Sequence, residues 1–247
     1  MLDVLDVLDV LDVIEAIDAV DWGAVPGRPG WYEPARAAGG LRALARAANL
    51  VEAAEAHSML SGGGLTHGHS AAVFPAAVVA APLLLDIART GRPAVRDTAL
   101  GLLDEALSSF PHAGYTRVTT PHGTAVPVCC ALAHHLRARA DRLAGLGGRG
   151  RSLLVDAAGH WRFEIRECVA DGGGTAVFGT LAGRFPDGVH AAELHIPGEI
   201  AVLGEVALEY PPAKGSPEAC LRVAGRYPDE LPPGAVLFPA ECGERVH

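Results

Sequence analysis

An uncharged run between residues 69 and 85 constrains this chain more than any other stretch. No Asp, Glu, Lys or Arg lies in it, and most of its side chains are Ala, Val or Leu. Ser70 can cap a helix that opens at Ala71, and Gly91 suits the left-handed residue that ends one. Pro82 removes one helical hydrogen bond, so we expect a kink or a break there. A bilayer span needs about 20 apolar residues, so the run predicts a buried central helix rather than a membrane segment.

Three short motifs follow one another through this stretch. They read His67-Gly-His69-Ser70, then Phe74-Pro75-Ala76-Ala77, then Ala81-Pro82-Leu83-Leu84. This order resembles a pattern in bacterial HEAT-like helical-repeat proteins, and the resemblance is concentrated in residues 65–91. It implies a HEAT/ARM-like α-solenoid of short antiparallel helix pairs. Such proteins include toxin-immunity factors, scaffolds and a few enzymes, so the resemblance supports a fold more than a function.

Composition and periodicity also favour an all-α fold. Aromatic residues make up only 5% of the 247, while Ala, Leu and Gly are abundant, which suits close-packed helices better than a sheet. Prolines at residues 34 and 93 open two helices, and Asn49 can cap another that runs to about Leu60. Apolar spacing and Gly/Pro punctuation predict further helices at 125–144, 152–169, 175–184, 189–195, 199–210 and 217–225.

The two ends of the chain differ from its middle. Leu-Asp-Val recurs from residue 2 to residue 13 with a period of three, which fits neither a helix nor a strand. We interpret residues 1–20 as an acidic low-complexity segment, frayed until about Ile14. It is either a repeat expansion or overlong start, or an arm that meets a basic partner. Residues 21–226 are predicted to form a single helical-repeat domain, and residues 227–247 an irregular tail.

Charge and cysteine usage restrict the possible partners and the compartment. A net charge of −9 argues against the basic face that nucleic-acid binding needs. The chain carries five cysteines without CxxC spacing, and no signal peptide with a basic start precedes them. These features predict a cytoplasmic protein whose cysteines are reduced and buried as small hydrophobic side chains.

Histidine is the residue type that can carry chemistry. His67 and His69 precede the central helix and are the candidate catalytic residues. The polar loop 111–124 supplies candidate binding residues, His112, Tyr115 and His122. No set of His and carboxylate residues has the spacing of three or four converging ligands, so no metal site and no cofactor are predicted. The Gly-rich sequence at 145–150 follows a helix rather than a strand, which argues against a dinucleotide site.

Two functions from different classes follow. The first is a non-catalytic, HEAT-like protein-binding module, such as an immunity factor that neutralises a basic toxin, or a scaffold. The alternative is an enzyme or small-molecule-binding protein whose pocket lies beside the kinked central helix and uses His67 and His69. The expected partner is a protein, with neither nucleic acid nor membrane involved. The oligomeric state does not follow from the sequence.

Overall fold

The computed structural model describes residues 4–214 and 216–247, with side chains from residue 10 onward. Within these residues, no helix has both the length and the apolar character that crossing a bilayer requires.

The chain divides into two compact units. The first holds the described residues up to Thr116, His134–Val155 and Val246–His247; the second holds Arg117–Ala133 and Asp156–Arg245. Helices dominate the first unit, whereas the second contains a closed β-barrel of six strands. The predicted all-α HEAT/ARM-like solenoid is therefore wrong, and so is the resemblance to HEAT-like repeat proteins.

The first unit is built mainly from helices, with three very short strands. Its helices are α1 Val4–Asp18, α2 Pro34–Arg46, α3 Leu50–Ser61, α4 Ala76–Thr90, α5 Pro93–Ser108 and α7 Ala140–Gly145. The strands β1 Thr66–His67, β2 Ala72–Val73 and β3 Phe110–Pro111 form a small sheet in that order. Two more helices, α6 Val128–Arg137 and α8 Gly148–Gly159, contribute residues to both units.

Local sequence signals explain where several of these helices begin. Pro34 and Pro93 each lie in the first turn of a helix, as predicted. The side chain of Asn49 accepts hydrogen bonds from the backbone N–H groups of Val51 and Glu52, so the predicted cap of α3 is confirmed. Residues 4–18 form α1, where the sequence had predicted fraying as far as Ile14.

Helix α4 is the predicted central helix, and it is buried over most of its length. It begins at Ala76 rather than at Ala71, because Ala71 has φ +50° and Ser70 bonds to His67 instead of capping the helix. The chain continues as one helix through Pro82, so the predicted break does not occur. Gly91 ends the helix in an extended conformation with φ −71°, not in the left-handed one.

The second unit contains the barrel, whose strands follow the order β10-β7-β6-β11-β8-β9. The strands are β6 Arg162–Asp171, β7 Gly174–Ala182, β8 Val189–Ile196, β9 Glu199–Tyr210, β10 Glu218–Ala224 and β11 Val236–Pro239. A hairpin of β4 Arg117–Thr120 and β5 Gly123–Pro127 precedes them, a 3-10 turn covers Pro228–Glu230, and helix α9 Ala240–Glu244 follows. The helices predicted for residues 175–225, and for the second half of 152–169, are thus strands, and the predicted irregular tail holds β11 and α9.

Turn residues and alternation account for these strands. Gly172 and Gly173 both have positive φ and close the hairpin between β6 and β7, as a type I′ turn requires. Along β7, Thr175, Val177 and Leu181 alternate as buried residues with more exposed neighbours. Inward-facing side chains from the strands, together with Trp161 and Phe185, form a continuous apolar core.

Candidate metal centre

Three cysteines and one histidine of the second unit converge although they lie far apart in the sequence. Cys129 and Cys130 lie in the first turn of α6, which begins directly after Pro127 ends strand β5. Cys242 lies in α9, which begins after Pro239 ends β11. His160 stands between the end of α8 and the start of β6. Each ligand candidate is therefore fixed at the end of a regular element.

The geometry of this cluster fits a tetrahedral metal ion. One potential ligand atom from each of the four residues lies within 4.8 Å of all the others. The Nδ1 atom of His160 and the Sγ atom of Cys242 are 3.2 Å apart. Zinc–sulfur bonds of about 2.3 Å in a tetrahedron place sulfur atoms about 3.8 Å apart. Small side-chain movements within the observed cluster can reach that separation.

Burial and hydrogen bonding prepare one of the thiols to lose its proton. Cys129, Cys130 and Cys242 are 4%, 2% and 3% exposed. Hydrogen bonds from the thiols of Cys130 and Cys242, and a weaker contribution from His160, hold the pKa of Cys129 well below its ordinary value. Burial raises the pKa of Cys130, and the hydrogen bond with Cys129 raises the pKa of Cys242. The cluster thus resembles one thiolate that accepts bonds from two thiols.

A fixed positive charge lies close to the cluster. The guanidinium group of Arg117 donates hydrogen bonds of 2.8 and 2.6 Å to Glu193, and one of 3.1 Å to the carbonyl oxygen of Ala125. The hydrogen bonds with Glu193 raise the pKa of Arg117, and the negative charge of Glu193 raises it further. A Zn²⁺ ion with three thiolates and a neutral imidazole carries a net charge of −1. Arg117 is already paired with Glu193, so the two side chains together add no net charge that would offset it.

Three thiolates and one imidazole form a donor set that suits zinc. Soft sulfur ligands disfavour Mg²⁺ and Ca²⁺, and a tetrahedral sulfur and nitrogen set is typical of structural zinc sites. With these four protein ligands the tetrahedron would be complete, so no position would be left for water or substrate. Such a site can hold secondary-structure elements together but cannot activate a water molecule.

Two of the histidines predicted from the sequence come together in the first unit. His67 and His112 both lie against Trp31, with ring centroids 4.6 Å apart in each case. Arg28 stacks over the same indole at 4.5 Å, and its Nη1 atom is 3.4 Å from Nδ1 of His112. His112 is only 2% exposed, and its Nε2 atom has no hydrogen-bond partner in the part of the chain that the structure describes.

The other predicted site residues have contacts of their own. His69 is exposed, with its ring 6.2 Å from that of His67. Tyr115 is half-buried, and its backbone N–H donates to the carbonyl of His112. His122 belongs to the second unit, where its Nδ1 atom contacts Arg162. The predicted loop 111–124 contains β4 and the start of β5 rather than one irregular segment.

The residues of the candidate metal centre were not predicted as a site from the sequence. Four of the five cysteines are buried, as predicted, whereas Cys168 is half-buried; that they are reduced stays a prediction. The one local signal was the adjacent pair Cys129-Cys130, which lacks the CxxC spacing of common zinc motifs. Cys242 and His160 carry no signal of their own, because only the fold brings them to that pair.

Comparison of the chain with protein-family models, with curated proteins and with solved structures found no match.

Proposed function

We propose that this chain is a zinc-binding protein in which Cys129, Cys130, His160 and Cys242 hold one Zn²⁺ ion in the second unit. The convergence of three buried cysteines and a histidine within 4.8 Å carries the proposal. The ion would connect α6, α9 and the segment that enters β6. Zinc bound in this way contributes directly to folding free energy, because the unfolded chain lacks the assembled site. The role is structural, since the four residues complete the coordination.

Metal content and spectroscopy test the proposal. The chain is purified without chelators, and its zinc is measured by mass spectrometry; we expect one ion per chain. Replacement of zinc by Co²⁺ should give the intense visible absorption of a tetrahedral thiolate complex. Cys242→Ser should lose both signals. Cys168→Ser is the matched control, since that thiol bonds to the carbonyl of Leu231 and lies outside the cluster, and it should keep both.

Two results would contradict zinc binding. One is a wild-type chain that takes up neither zinc nor cobalt when its thiols are fully reduced. The other is a disulfide between two of the cluster cysteines in protein isolated under thiol-blocking conditions, which would instead indicate redox chemistry.

The sequence-based prediction of a non-catalytic protein-binding role stays a proposal, now without a helical-repeat surface. A filled coordination sphere is consistent with a non-catalytic protein. The alternative, an enzyme that uses His67 and His69, finds less support, because His67 packs on Trp31 and bonds to Ser70. A cytoplasmic location also stays a proposal; a reducing compartment would keep the free cysteines available for metal.

A further inference from the structure

A cavity of about 550 Å³ lies in the second unit, apart from the four residues of the candidate metal centre. Its walls come from residues 122–125 at the start of β5, from residues 195–200 around the turn between β8 and β9, and from Gly234 and Val236. This volume is typical of small-molecule pockets, which span about 300–1,000 Å³. The walls are mixed: Ile196, Ile200 and Val236 are apolar, whereas His122, Thr124 and His195 are polar.

His195 is the polar group of this cavity whose orientation is most strongly fixed. The residue is 8% exposed, and its Nε2 atom lies 3.0 Å from Oε2 of Glu193. The ring also packs edge-on against Phe238, with centroids 4.9 Å apart. Its Nδ1 atom has no hydrogen-bond partner among the residues that the structure describes. A buried imidazole thus lines the cavity with one nitrogen committed and the other available.

The partner of His195 determines which nitrogen carries the proton. Glu193 is 4% exposed, and two hydrogen bonds from Arg117 hold it. An ionised carboxylate only accepts hydrogen bonds, so Nε2 of His195 must be the donor. In the neutral ring Nδ1 is then an acceptor. The row Arg117–Glu193–His195 therefore ends in a preorganised acceptor at the cavity wall.

Stability alone gives a poor account of this row. A buried ion pair recovers little more than the cost of its desolvation, and apolar residues of similar volume often stabilise a core equally well. A carboxylate that fixes the tautomer and orientation of an imidazole is instead a recurrent arrangement at sites where that imidazole meets another group. At this position the other group would be a molecule in the cavity.

We propose that this cavity binds a small uncharged organic molecule that donates a hydroxyl hydrogen bond to Nδ1 of His195. Apolar contacts with Ile196, Ile200 and Val236 would hold the body of the molecule. Among the described residues that line the cavity, only Glu199 carries a formal charge, so no cationic side chain is present to bind an anion. A hydroxyl group on an apolar frame is the ligand chemistry that matches these walls.

Fluorine NMR of the chain as purified tests the proposal, with 4-fluorophenol as the probe and 4-fluoroanisole as its partner without a donor. We expect line broadening of the phenol and roughly five- to tenfold weaker binding of the anisole, the effect of one hydrogen bond. His195→Phe should reduce binding of the phenol to the level of the anisole. His190→Phe, a change of the other histidine in strand β8, is the matched control and should bind the phenol as the wild type does.

A second variant tests the proposal even if His195→Phe does not fold. Ile200 is 39% exposed and lines the cavity, so Ile200→Trp should fill the space without removing His195 and should abolish binding of both probes. Failure of the phenol to bind the wild type would overturn the proposal. Equal binding of both probes, or binding that survives both Ile200→Trp and a folded His195→Phe, would overturn it as well. None of these results depends on whether the chain binds zinc.

Discussion

Gly243 shows how much a single hydrogen atom matters beside the candidate metal centre. It directly follows Cys242, and a Cβ atom at this position would overlap Oε1 of Glu193 and come within 2.6 Å of Nη2 of Arg117. Both groups are fixed by their mutual hydrogen bonds. Close approach of α9 to this ion pair therefore requires glycine, although its backbone conformation does not.

Gly243→Ala should lower the free energy of unfolding by about 1–3 kcal/mol, the usual range for an overpacked site. It should also weaken zinc retention, because the displaced segment carries Cys242. Urea unfolding and zinc competition with a chromophoric chelator measure the two effects. Gly204→Ala in β9 is the control, since a Cβ there meets nothing within 4 Å, and it should change neither quantity. Equal free energies of unfolding and equal zinc retention in the two variants would show that α9 does not need glycine at position 243.

His112 gives the first unit a dependence on pH. Burial lowers its pKa from the ordinary 6.5, and the positive charges of Arg28, His247 and His67 lower it further. A lowered pKa means that the folded chain binds a proton less readily than the unfolded chain. Neutral His112 therefore makes its full contribution to the free energy of unfolding above the ordinary pKa of 6.5. That contribution is lost as the pH falls through the lower pKa of the folded state.

The free energy of unfolding should accordingly decrease as the pH falls below the ordinary pKa of 6.5. His112→Phe removes the titrating ring and should flatten that decrease. His69→Gln changes an exposed histidine near the same cluster and should leave the slope as in the wild type. Any effect of metal loss on the free energy of unfolding is shared by the wild type and both variants. A comparison of their slopes against pH therefore cancels it. A His112→Phe variant with the wild-type slope would show that His112 does not titrate as described.

At the scale of elements, local signals predicted the first half of the chain better than the second. Pro34, Asn49 and Pro93 act within their own helices, so a short stretch of sequence is enough to recognise them. Helix α5 ends at Ser108, and Phe110, which starts β3, is 43% exposed.

Two of the barrel strands, β6 and β9, escaped prediction for a physical reason. Register shifts place an extra residue in β6 between Ile165 and Glu167, and in β9 opposite His190/Ala192 and Cys220/Leu221. The inward-facing positions change parity after Ile165 in β6 and after Leu203 in β9, which breaks the period of two and imitates helical spacing. The Gly-Gly pair at 172–173 was the hairpin signal that could have corrected this.

The burial of helix α4 can be tested by the free energy of unfolding that is lost when one of its side chains is truncated. Leu84 is 1% exposed within it. Leu84→Ala should cost about 2–5 kcal/mol, through lost apolar transfer and the cavity that remains. Leu50→Ala in α3, at a site that is 69% exposed, should cost less than about 0.5 kcal/mol. Thermal unfolding of both variants decides the point, and similar melting temperatures would contradict a tightly packed α4.

At the scale of the whole molecule, the candidate metal centre depends on contacts that no local pattern encodes. More than a hundred positions along the chain separate Cys129 from Cys242, and His160 stands between them. Closure of the barrel places β11, and hence α9, beside the strands that follow α8. Composition could predict buried, reduced cysteines, but their convergence required the topology of β6 and β11.

Zinc removal should loosen the second unit where the ligands attach to it. A structural ion contributes its binding free energy to the elements that it connects, so protection of their amides should fall when the ion leaves. Hydrogen–deuterium exchange before and after chelation should therefore rise in β11, in α9 and in the first turn of α6. Peptides from α4, whose core belongs to the first unit, should keep their protection. Cys242→Ser with added zinc should match the chelated wild type, and Cys168→Ser should match the loaded one. Unchanged exchange in α9 after verified zinc loss would show that the ion, even if bound, does not hold this part of the fold together.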